Sequence, residues 1–327
     1  MTTTSVAQVI DRFTGTHSYL SNFSDYPVEL DGVIYPTREH AFAAAKTDDP
    51  AARDTIQRAA TPGAAKSLGR RVHLRPDWDR LHRVPAMYAI LRSCFTRHPQ
   101  LADQLLDTGD TLLIEGNDWA DRFWGRAVAR GSTAQVGWNM LGRSLMRLRS
   151  ELRRDPETRW PRVALTGHRP QHIDTLGARD WVQAELARIA TKLRDEHGTT
   201  IGLTGLALGS DTWWAQAADT AGLDLWGYAP FPQQADPWPR TDQDEYARLR
   251  ALCTRLIEIG PRNRRHFYAA RNGVMVVDSD AVIAVYDPEA TSGGTIMTMQ
   301  KFCLGMPLIR VDIRHRRVSL SQPFRGL

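Results

Sequence analysis

The feature that most constrains the fold of this chain is a series of short apolar runs in its second half. The runs RVALTG, TTIGLTG, DAVIAVYD and MPLIRVD each stop at a glycine or an aspartate. Between them lie helical patterns, which we predict from Ala178 to Glu196 and from Gln243 to Leu256. Short buried strands that alternate with helices are typical of a parallel sheet. We therefore predict an α/β domain over residues 162–327.

A different pattern precedes this domain. Residues 1–150 are mostly helical in pattern, with short extended pieces near Phe13, Val28–Leu30 and Leu112–Glu115. Asp31-Gly32, between PVEL and VIYP, indicates a β-hairpin. The chain of 327 residues is long enough for two domains. We predict a first domain of the α+β class, mainly helical, and a linker over residues 151–161, which are charged and lack an apolar period.

Composition excludes several classes of protein. No apolar run approaches the roughly 18–20 residues of a membrane span, and the first residues lack the basic and apolar regions of a signal peptide. The three cysteines are scattered singly, and the histidines form no HExxH-like pattern. We expect a cytoplasmic protein with no membrane segment, no disulfide framework, no metal and no other cofactor.

The positive charge of the chain is carried almost entirely by arginine. The formal net charge is +5 and the pI is about 9.3, which is compatible with a polyanionic or phosphorylated ligand. An arginine-rich composition typical of a GC-rich genome explains the same charge equally well. An arginine cannot lose its proton at working pH. The lysines, which are therefore the better candidates for amine chemistry, are Lys46, Lys66, Lys192 and Lys301.

One of these lysines lies in the segment YPTREHAFAAAKTDD, which has a recognisable helix start. Pro36 disfavours a helical residue before it, and Thr37 is a suitable N-cap. We predict a helix from Arg38 through Lys46, on which Glu39 and Lys46 share one face. The small alanines of this helix would let a backbone or a ligand approach closely. An ordinary amphipathic helix with a solvated lysine is the alternative.

Two further segments of the first half carry polar and aromatic side chains. In TPGAAKSLGRR, a turn at Pro62-Gly63 precedes a short helix with Lys66, which could hold phosphate or form a basic surface. The loop EGNDWADRFWG is rich in Trp and Asp, which is typical of a site for a planar ring or a sugar, although core tryptophans are equally plausible. In GWNMLGRSLMRLRSEL we predict a helix whose apolar stripe is Leu141, Leu145 and Leu148.

Together these segments resemble the NADAR (YbiA-like) family from roughly Phe13 to Arg149. The resemblance rests on several pieces in order: YLSNFSDYPVELDGVIYPTREHAF, AAKTDD, TPGAAKSLGR, the DW of Asp77-Trp78, LLDTGDTLLIEGND, the WG of Trp124-Gly125, and NMLGRSLMRLR. It implies an N-glycosidic bond in a nucleotide-derived ligand. Members of the family resemble hydrolases that remove ADP-ribose from guanine, or that cleave reactive intermediates of riboflavin synthesis.

The resemblance also implies roles for particular residues. It places a reactive lysine at Lys46, which would form a transient Schiff base with the sugar, and this requires burial to lower its pKa. Glu39 would transfer protons or bind the ribose hydroxyls. Many relatives carry an acid directly after WG, where this chain has Arg126, so Asp121 would have to serve instead. The expected substrate-binding residues are Asn22, Phe23, Lys66, Gly69, Arg70, Asp118, Trp119 and Trp124.

Three glycine loops of the second half follow predicted strands. They contain Thr166-Gly167, Gly209-Ser210-Asp211 and Gly293-Gly294-Thr295. In a parallel sheet such loops converge at the carboxyl ends of the strands, where helix N-termini can bind an anion. Plain tight turns are the alternative.

This half resembles the SLOG superfamily, particularly its YpsA-like members, from about Arg162 to Asp312. The matching segments are TGHRP, GLALGSDTWWAQAA, YAPFPQQADPWP, ARNGVMVVDSDAVIAVYDPEATSGGT and MPLIRV. The resemblance implies a Rossmann-like fold that binds a nucleotide. The PGGxGT motif of related phosphoribohydrolases is replaced by SGGT, which favours binding over hydrolysis. The expected nucleotide-binding residues are Thr166, Gly167, His168, Arg169, Gly209, Ser210, Asp211, Arg271, Asn272, Gly293, Gly294 and Thr295.

The hypothesis that results is an N-glycoside hydrolase joined to a nucleotide-binding domain. Its expected ligand is ADP-ribose or a related nucleotide, and its substrate could be ADP-ribosylated DNA or RNA; an oligomer is possible. Cleavage of riboflavin-synthesis intermediates is one rival hypothesis. A non-catalytic sensor of NAD-derived signals is another.

Overall fold

The chain folds into two compact units. The structure, a computed structural model, describes residues 9–76, 78–128, 135–153, 160–303 and 306–321. The first unit ends at Arg153, and the described residues from Trp160 onward belong to the second. Asp77 and residues 154–159, the middle of the predicted linker, lie outside the described ranges. Within those ranges, no helix combines the length and the apolarity that a bilayer span requires.

The first unit is mainly helical, with short strands. Its elements are β1 (Val9–Ile10), a 3₁₀ helix (Gly15–Leu20), β2 (Val28–Leu30), β3 (Val33–Tyr35), α1 (Arg38–Ala44), α2 (Pro50–Gln57), α3 (Pro62–Gly69), a π-helical segment (Trp78–His82), α4 (Arg83–Arg97), α5 (Pro99–Asp107), β4 (Leu112–Leu113), β5 (Gly116–Asn117), β6 (Arg126–Val128), β7 (Gln135–Val136) and α6 (Met140–Leu152).

Local sequence accounts for several of these elements. The backbone N–H of His40 donates to the Thr37 hydroxyl, which caps α1 as predicted. Asp31 and Gly32 both have positive φ, +52° and +77°, the geometry of a tight hairpin turn, and β2 pairs antiparallel with β3. The predicted stripe Leu141, Leu145 and Leu148 is buried along α6.

Two details of the first unit differ from the prediction. Helix α1 ends at Ala44, so that Lys46 lies just beyond it rather than within it. The extended piece predicted near Phe13 lies earlier in the chain, at β1, where Val9 pairs in parallel with Leu112 of β4. The pairing partner, which is about a hundred residues away, selects the strand here.

The second unit is an α/β sheet of seven strands. Its elements are β8 (Arg162–Gly167), α7 (Pro170–Asp174), α8 (Arg179–His197), β9 (Ile201–Thr204), α9 (Ser210–Thr220), β10 (Asp224–Ala229), α10 (Arg240–Leu252), β11 (Cys253–Glu258), α11 (Arg265–Val277), β12 (Ala281–Tyr286), α12 (Gly294–Phe302), β13 (Leu308–Asp312) and β14 (Arg317–Ser321). The strand order is β11-β10-β9-β8-β12-β13-β14, and only the β13–β14 pair is antiparallel among these. The predicted parallel α/β fold is therefore confirmed.

The sheet reverses its strand order beside β8. One neighbour of β8 is β9, reached through α8, and the other is β12, where Val285 pairs with Gly167. The loops that follow β8 and β12 therefore lie next to each other at the carboxyl edge of the sheet. In open α/β sheets ligands bind in the crevice at such a switch point.

Two boundaries of the second half were predicted wrongly. Helix α10 ends at Leu252, and residues Cys253–Glu258 form the edge strand β11 along β10. The leucines at 249, 252 and 256 continue a helical period, but pairing with β10 overrides it. Trp160, inside the predicted linker, is buried in the core of the second unit, and α6 extends through Leu152.

Gly69 has a packing role that generates a stability prediction. A Cβ at this position would lie 2.7 Å from Ala43 Cβ and 3.0 Å from Ala43 Cα. We expect Gly69→Val to lower the free energy of unfolding by about 1–3 kcal/mol, because α3 would be pushed away from α1. Gly63→Ala, on the same helix with its nearest atom 3.9 Å away, is the matched control and should be neutral or slightly stabilising. Urea denaturation measures both; equal stability of Gly69→Val and the wild type would contradict this packing.

Candidate active site

A cavity of about 480 Å³ in the first unit brings most of the predicted site residues together. Its wall is formed by α1, α3, the segment from Glu115 to Trp124 and residues on either side of Phe13. A second hollow of about 870 Å³ in the same unit is lined by none of the predicted site residues, so we place the site in the first cavity. The predicted residues that line it are Asn22, Phe23, Glu39, Lys46, Lys66, Arg70, Trp119, Asp121 and Trp124.

Two predicted substrate-binding residues lie outside the cavity wall. Gly69 is buried against Ala43 and provides room between α1 and α3. Asp118 is exposed and forms a two-pronged ion pair with Arg12, at 2.8 and 2.9 Å. Arg12 itself lines the cavity, so Asp118 positions a cation at the site instead of facing the ligand.

Glu39 is a buried carboxyl group in this cavity. It lies in the first turn of α1, where its side chain is enclosed and its backbone N–H donates to the carbonyl of Asn22. Burial raises its pKa to about 7, against the opposing effect of Lys66, Lys46 and Arg70. Near neutral pH this carboxyl group can therefore either accept or donate a proton.

Lys46 is a partly desolvated amine directly after α1. Its carbonyl accepts a hydrogen bond from the backbone N–H of Arg75, which fixes the chain here. Its Nζ lies 5.4 Å from the ring centre of Phe42. Burial lowers the pKa of Lys46, and the neighbouring cations lower it further, whereas Glu39 raises it. Desolvation thus favours the neutral, nucleophilic amine.

Asp121 organises the loop that carries the aromatic wall. Its Oδ1 accepts hydrogen bonds from the backbone N–H groups of Phe123 and Trp124, both at 2.9 Å. Its own N–H donates to Asn117, whose amide returns a bond to the Asp121 carbonyl. These bonds aim Trp124 at Phe42, with ring centres 5.3 Å apart. The geometry gives Asp121 a positioning role; the proton transfer predicted for it stays a prediction.

The mouth of the cavity combines exposed rings with cations. Lys66 Nζ lies 5.4 Å from the ring centre of Phe23 and 5.8 Å from that of Trp119. Phe23 and Trp119 are 44% and 62% exposed, so their faces are available to a planar ligand. Arg70 also lines the cavity, so that two cations, Lys66 and Arg70, border the same space.

Sequence reasoning missed Glu115 as a site residue. This carboxyl group lies between β4 and β5, and its side chain lines the cavity. Burial raises its pKa to about 7, with a further rise from the charge of Asp121 and a lowering by Lys66. A carboxylate at the end of the apolar run LLI was the available signal, since a polar residue after a short buried strand often belongs to a site.

The predicted nucleotide-binding residues of the second unit fall into two groups. The buried group holds the loop after β9 in place. Asp211 Oδ1 accepts from the Gly205 N–H at 3.0 Å, and Arg271 donates to the Gly205 carbonyl. Arg271 Nε donates to Asn272, which donates to Thr298. These side chains are used internally and support the loop.

The second group lies at the carboxyl edge of the sheet. Arg169, Gly293 and Gly294 are exposed, and His168 is half-buried. Ser210 Oγ donates to the His168 carbonyl at 2.9 Å, and this hydrogen bond joins the loop after β8 to the loop after β9.

The backbone of these loops is tightly packed. Gly209 has a φ of +88° beside Pro170, a conformation that favours glycine. The side chains of Thr166 and Thr295 are buried, and a Cβ on Gly167 would collide with Ser210. In the described ranges, no group of three or more metal-ligating side chains is assembled.

Comparison with known proteins links the first unit to a family. Residues 11–153 match the NADAR domain model. N-glycosidase Npun_R5314 from Nostoc punctiforme is 37% identical over 138 residues, which cover 41% of this chain and 84% of that protein. Riboflavin biosynthesis protein VVA0006 from Vibrio vulnificus is 38% identical over 138 residues, which cover 42% of this chain but 36% of that protein.

Solved structures resemble separate parts of the chain. The solution structure of YbiA from Escherichia coli has 32% identity and a TM-score of 0.40, covering 45% of this chain and 85% of that one. The crystal structure of DNA processing protein A from Streptococcus pneumoniae has 16% identity and a TM-score of 0.33, covering 46% of this chain and 50% of that one.

The raised pKa of Glu39 gives a prediction about stability and pH. In the unfolded chain a glutamate titrates near ~4.3, so the folded protein holds this proton more tightly. The resulting stability is fully present below the unfolded pKa and is lost as pH rises through about 7. We expect Glu39→Gln to remove this loss, so that the variant gains about 2–3 kcal/mol over the wild type between pH 5 and pH 8.

Urea denaturation of the full chain at both pH values measures this difference, with the transitions of the two units fitted separately. Glu29→Gln, which removes a half-exposed carboxylate of the same unit, is the control and should leave the pH dependence almost unchanged. A Glu39→Gln difference that stays constant between pH 5 and pH 8 would show that Glu39 is ionised throughout.

Proposed function

The chain belongs to the NADAR family through residues 11–153, and we propose that its first unit is a hydrolase of an N-glycosidic bond in an ADP-ribose-type ligand. Relatives in this family are named N-glycosidases. ADP-ribose attached to guanine, in nucleic acid or in a free nucleotide, is the substrate that we favour. The net charge of +5 supports a polyanionic form such as ADP-ribosylated DNA or RNA.

The observation that carries this proposal is that Lys46 and Glu39 line one cavity, close enough for the charge of each to affect the pKa of the other. Burial disfavours the charged form of both groups, since it lowers the pKa of the amine and raises that of the carboxyl group. Both shifts lower the cost of moving a proton from the amine to the carboxylate. A neutral amine is a nucleophile for the anomeric carbon of a ribose, and a neighbouring carboxylate can take up its proton.

The chemistry that follows is covalent. The amine of Lys46 bonds to C1′ as the bond from C1′ to the base nitrogen breaks, and opening of the sugar ring gives a Schiff base. Water then adds to C1′ and releases the sugar and the free amine. Glu39 accepts the proton of the attacking amine and returns it to the amine when that group leaves C1′. No cofactor takes part in these steps.

The mouth of the cavity supports recognition of a nucleotide. Phe23 and Trp119 offer faces on which a base can stack, and Lys66 and Arg70 can pair with phosphate. Asn22 Oδ1 is buried and has no hydrogen-bond partner among the described residues, so it is suited to a ribose hydroxyl.

A second candidate substrate is an N-ribosylated pyrimidine intermediate of riboflavin synthesis. The observation that favours it is the relative from Vibrio vulnificus, which is named a riboflavin biosynthesis protein. Incubation with ADP-ribosylated guanine DNA and, separately, with pyrimidine ribosides, followed by mass spectrometry of the released base, distinguishes the two candidates. Release of neither base would favour the third possibility, a sensor of NAD-derived signals.

We further propose that the second unit binds a related nucleotide at its switch point. Gly293 directly precedes helix α12 and Gly294 is its first residue, and both are exposed. Arg169 lies in the loop that follows β8, the strand adjacent to β12. Backbone N–H groups at the start of α12 and the Arg169 side chain can bind phosphate together. This unit would act as a sensor or as a second processing site.

Replacement of Lys46 tests the nucleophile. We expect Lys46→Arg to abolish turnover, by at least about 10³-fold, because arginine keeps the charge but cannot act as a neutral amine. Borohydride added during turnover should trap a sugar on residue 46 of the wild type, which peptide mass spectrometry detects. Lys66→Arg, at the mouth of the same cavity, is the matched control and should still form the adduct. Full activity in Lys46→Arg would return this residue to a binding role.

Replacement of Gly294 tests the second site. Its Cβ position has no atom within 4 Å, so Gly294→Val should leave the fold intact while its side chain fills the space of a bound phosphate. Calorimetry with ADP-ribose and with NAD compares the full-length Lys46→Arg protein with the double variant Lys46→Arg/Gly294→Val. We expect the double variant to lose one binding event. The hydrolytic activity of the single variant Gly294→Val should equal that of the wild type. Unchanged binding would reduce the glycine loops to tight turns.

A further inference from the structure

Departure of a base from ribose requires an acid as well as a nucleophile. When the bond from C1′ to the base breaks, its electron pair moves to the base nitrogen, which is a poor leaving group unless it takes up a proton. Lys46 and Glu39 account for attack on the sugar. The cavity holds one more carboxyl group without a role, Glu115.

The backbone holds Glu115 firmly in the cavity wall. Its N–H donates to Asn139 Oδ1 at 2.9 Å, and its carbonyl accepts from the Arg126 N–H at 2.8 Å. Gly125 allows this close approach, since a Cβ there would lie 2.1 Å from the Glu115 carbonyl oxygen and 3.1 Å from Glu115 Cγ. The backbone that carries this carboxyl group is therefore held in place before any ligand binds.

The carboxyl group itself is unused by the protein. Glu115 Oε2 is buried and has no hydrogen-bond partner within the described part of the chain. Buried polar atoms are nearly always paired, and an exception needs an explanation. The unpaired Oε2 is explained if the carboxyl group of Glu115 is neutral in the free protein and donates its proton to a ligand. Asp121 is less suited, because its Oδ1 already accepts two backbone N–H groups.

The charged groups of the cavity act differently on Glu115 and on Glu39. The charged groups of the cavity wall are Arg12, Glu39, Lys46, Lys66, Arg70 and Asp121. Of these, Asp121 disfavours the carboxylate of Glu115 and Lys66 favours it, whereas Lys46 acts on Glu39. The desolvation that dominates at both carboxyl groups raises the pKa of each to about 7. The two acids thus come from different segments, α1 and the β4–β5 connection.

We propose that Glu115 is the catalytic acid that protonates the departing base, an inference that rests on the N-glycosidase function proposed above. The C1′–N bond breaks, its electron pair goes to the base nitrogen, and that nitrogen takes the proton of Glu115 while C1′ bonds to Lys46. The water that later adds to C1′ supplies the proton that returns Glu115 to its neutral form, and Glu39 gives its proton back to the departing Lys46 amine. The sum of the steps is the N-glycoside plus water giving the free sugar and the neutral base, which carries a hydrogen on the nitrogen that held the sugar.

The ratio of kcat/KM between the wild type and Glu115→Gln, measured across pH, tests this role. Glutamine keeps the shape and loses the proton. We expect a ratio of at least about 100 at pH 6, where Glu115 is protonated, since a general acid contributes about 10²–10⁴-fold. The ratio should fall towards 1 at pH 9, because Glu115 of the wild type loses its proton as pH rises through about 7. Glu115→Asp should restore part of the rate and the same pH dependence.

The outcomes separate this inference from the proposed function. A ratio below about 10 at pH 6, or a larger ratio that does not change with pH, would overturn Glu115 as the acid while leaving the hydrolase in place. A wild type that releases no base from any N-riboside would overturn both. Circular dichroism and the urea midpoint control for folding: because an uncharged side chain replaces a buried acid, Glu115→Gln should be at least as stable as the wild type at pH 8.

Discussion

The close packing of α1 against α3 is the constraint on which the rest of the site depends. Alanines on α1 leave no bulk between the helices, and Gly69 lets α3 approach the backbone of Ala43. This packing buries the whole of α1, including Glu39, and brings Lys46 to the end of the helix inside the cavity. Low accessibility to water then sets the protonation of both groups. The protonation of Glu39 and Lys46 therefore depends on the small side chains that let α1 and α3 pack closely.

Burial of ionisable groups costs stability, and the cavity contains several of them. Glu39 and Glu115 both hold protons to near neutral pH because water is excluded from their carboxyl groups. A protein selected for stability alone would place apolar residues there. Phe42 and Trp124 add apolar surface to the cavity wall, while Lys66 and Arg70 oppose the accumulation of negative charge there. The first unit thus concentrates unfavourable electrostatics at one place, which is typical of catalytic sites.

The sequence predicts what depends on neighbouring residues and misses what depends on distant ones. The Thr37 cap and the Asp31-Gly32 hairpin are local, and the structure has both; the helix predicted through Lys46 ends at Ala44, although Glu39 and Lys46 still line the same cavity. Glu115 was missed because its place in the cavity depends on α1, far away in the sequence. Arg271 and Asp211 were predicted to bind a ligand; the structure shows that they meet across some sixty residues and hold a loop, which the sequence does not reveal. The end of α10 was misplaced because pairing of β11 with β10 overrides a helical period.

The central claim is that burial lowers the pKa of Lys46 and so favours the neutral amine, and the scarcity of lysine makes a direct test feasible. The chain has only four lysines, so [ε-¹³C]lysine labelling gives few NMR signals, and Lys46→Arg assigns the one of interest. We predict that Lys46 titrates below the ordinary lysine range, and at still lower pH in Glu39→Gln, because Glu39 is the group that raises its pKa. Titration of Lys46 within the ordinary lysine range would contradict the account.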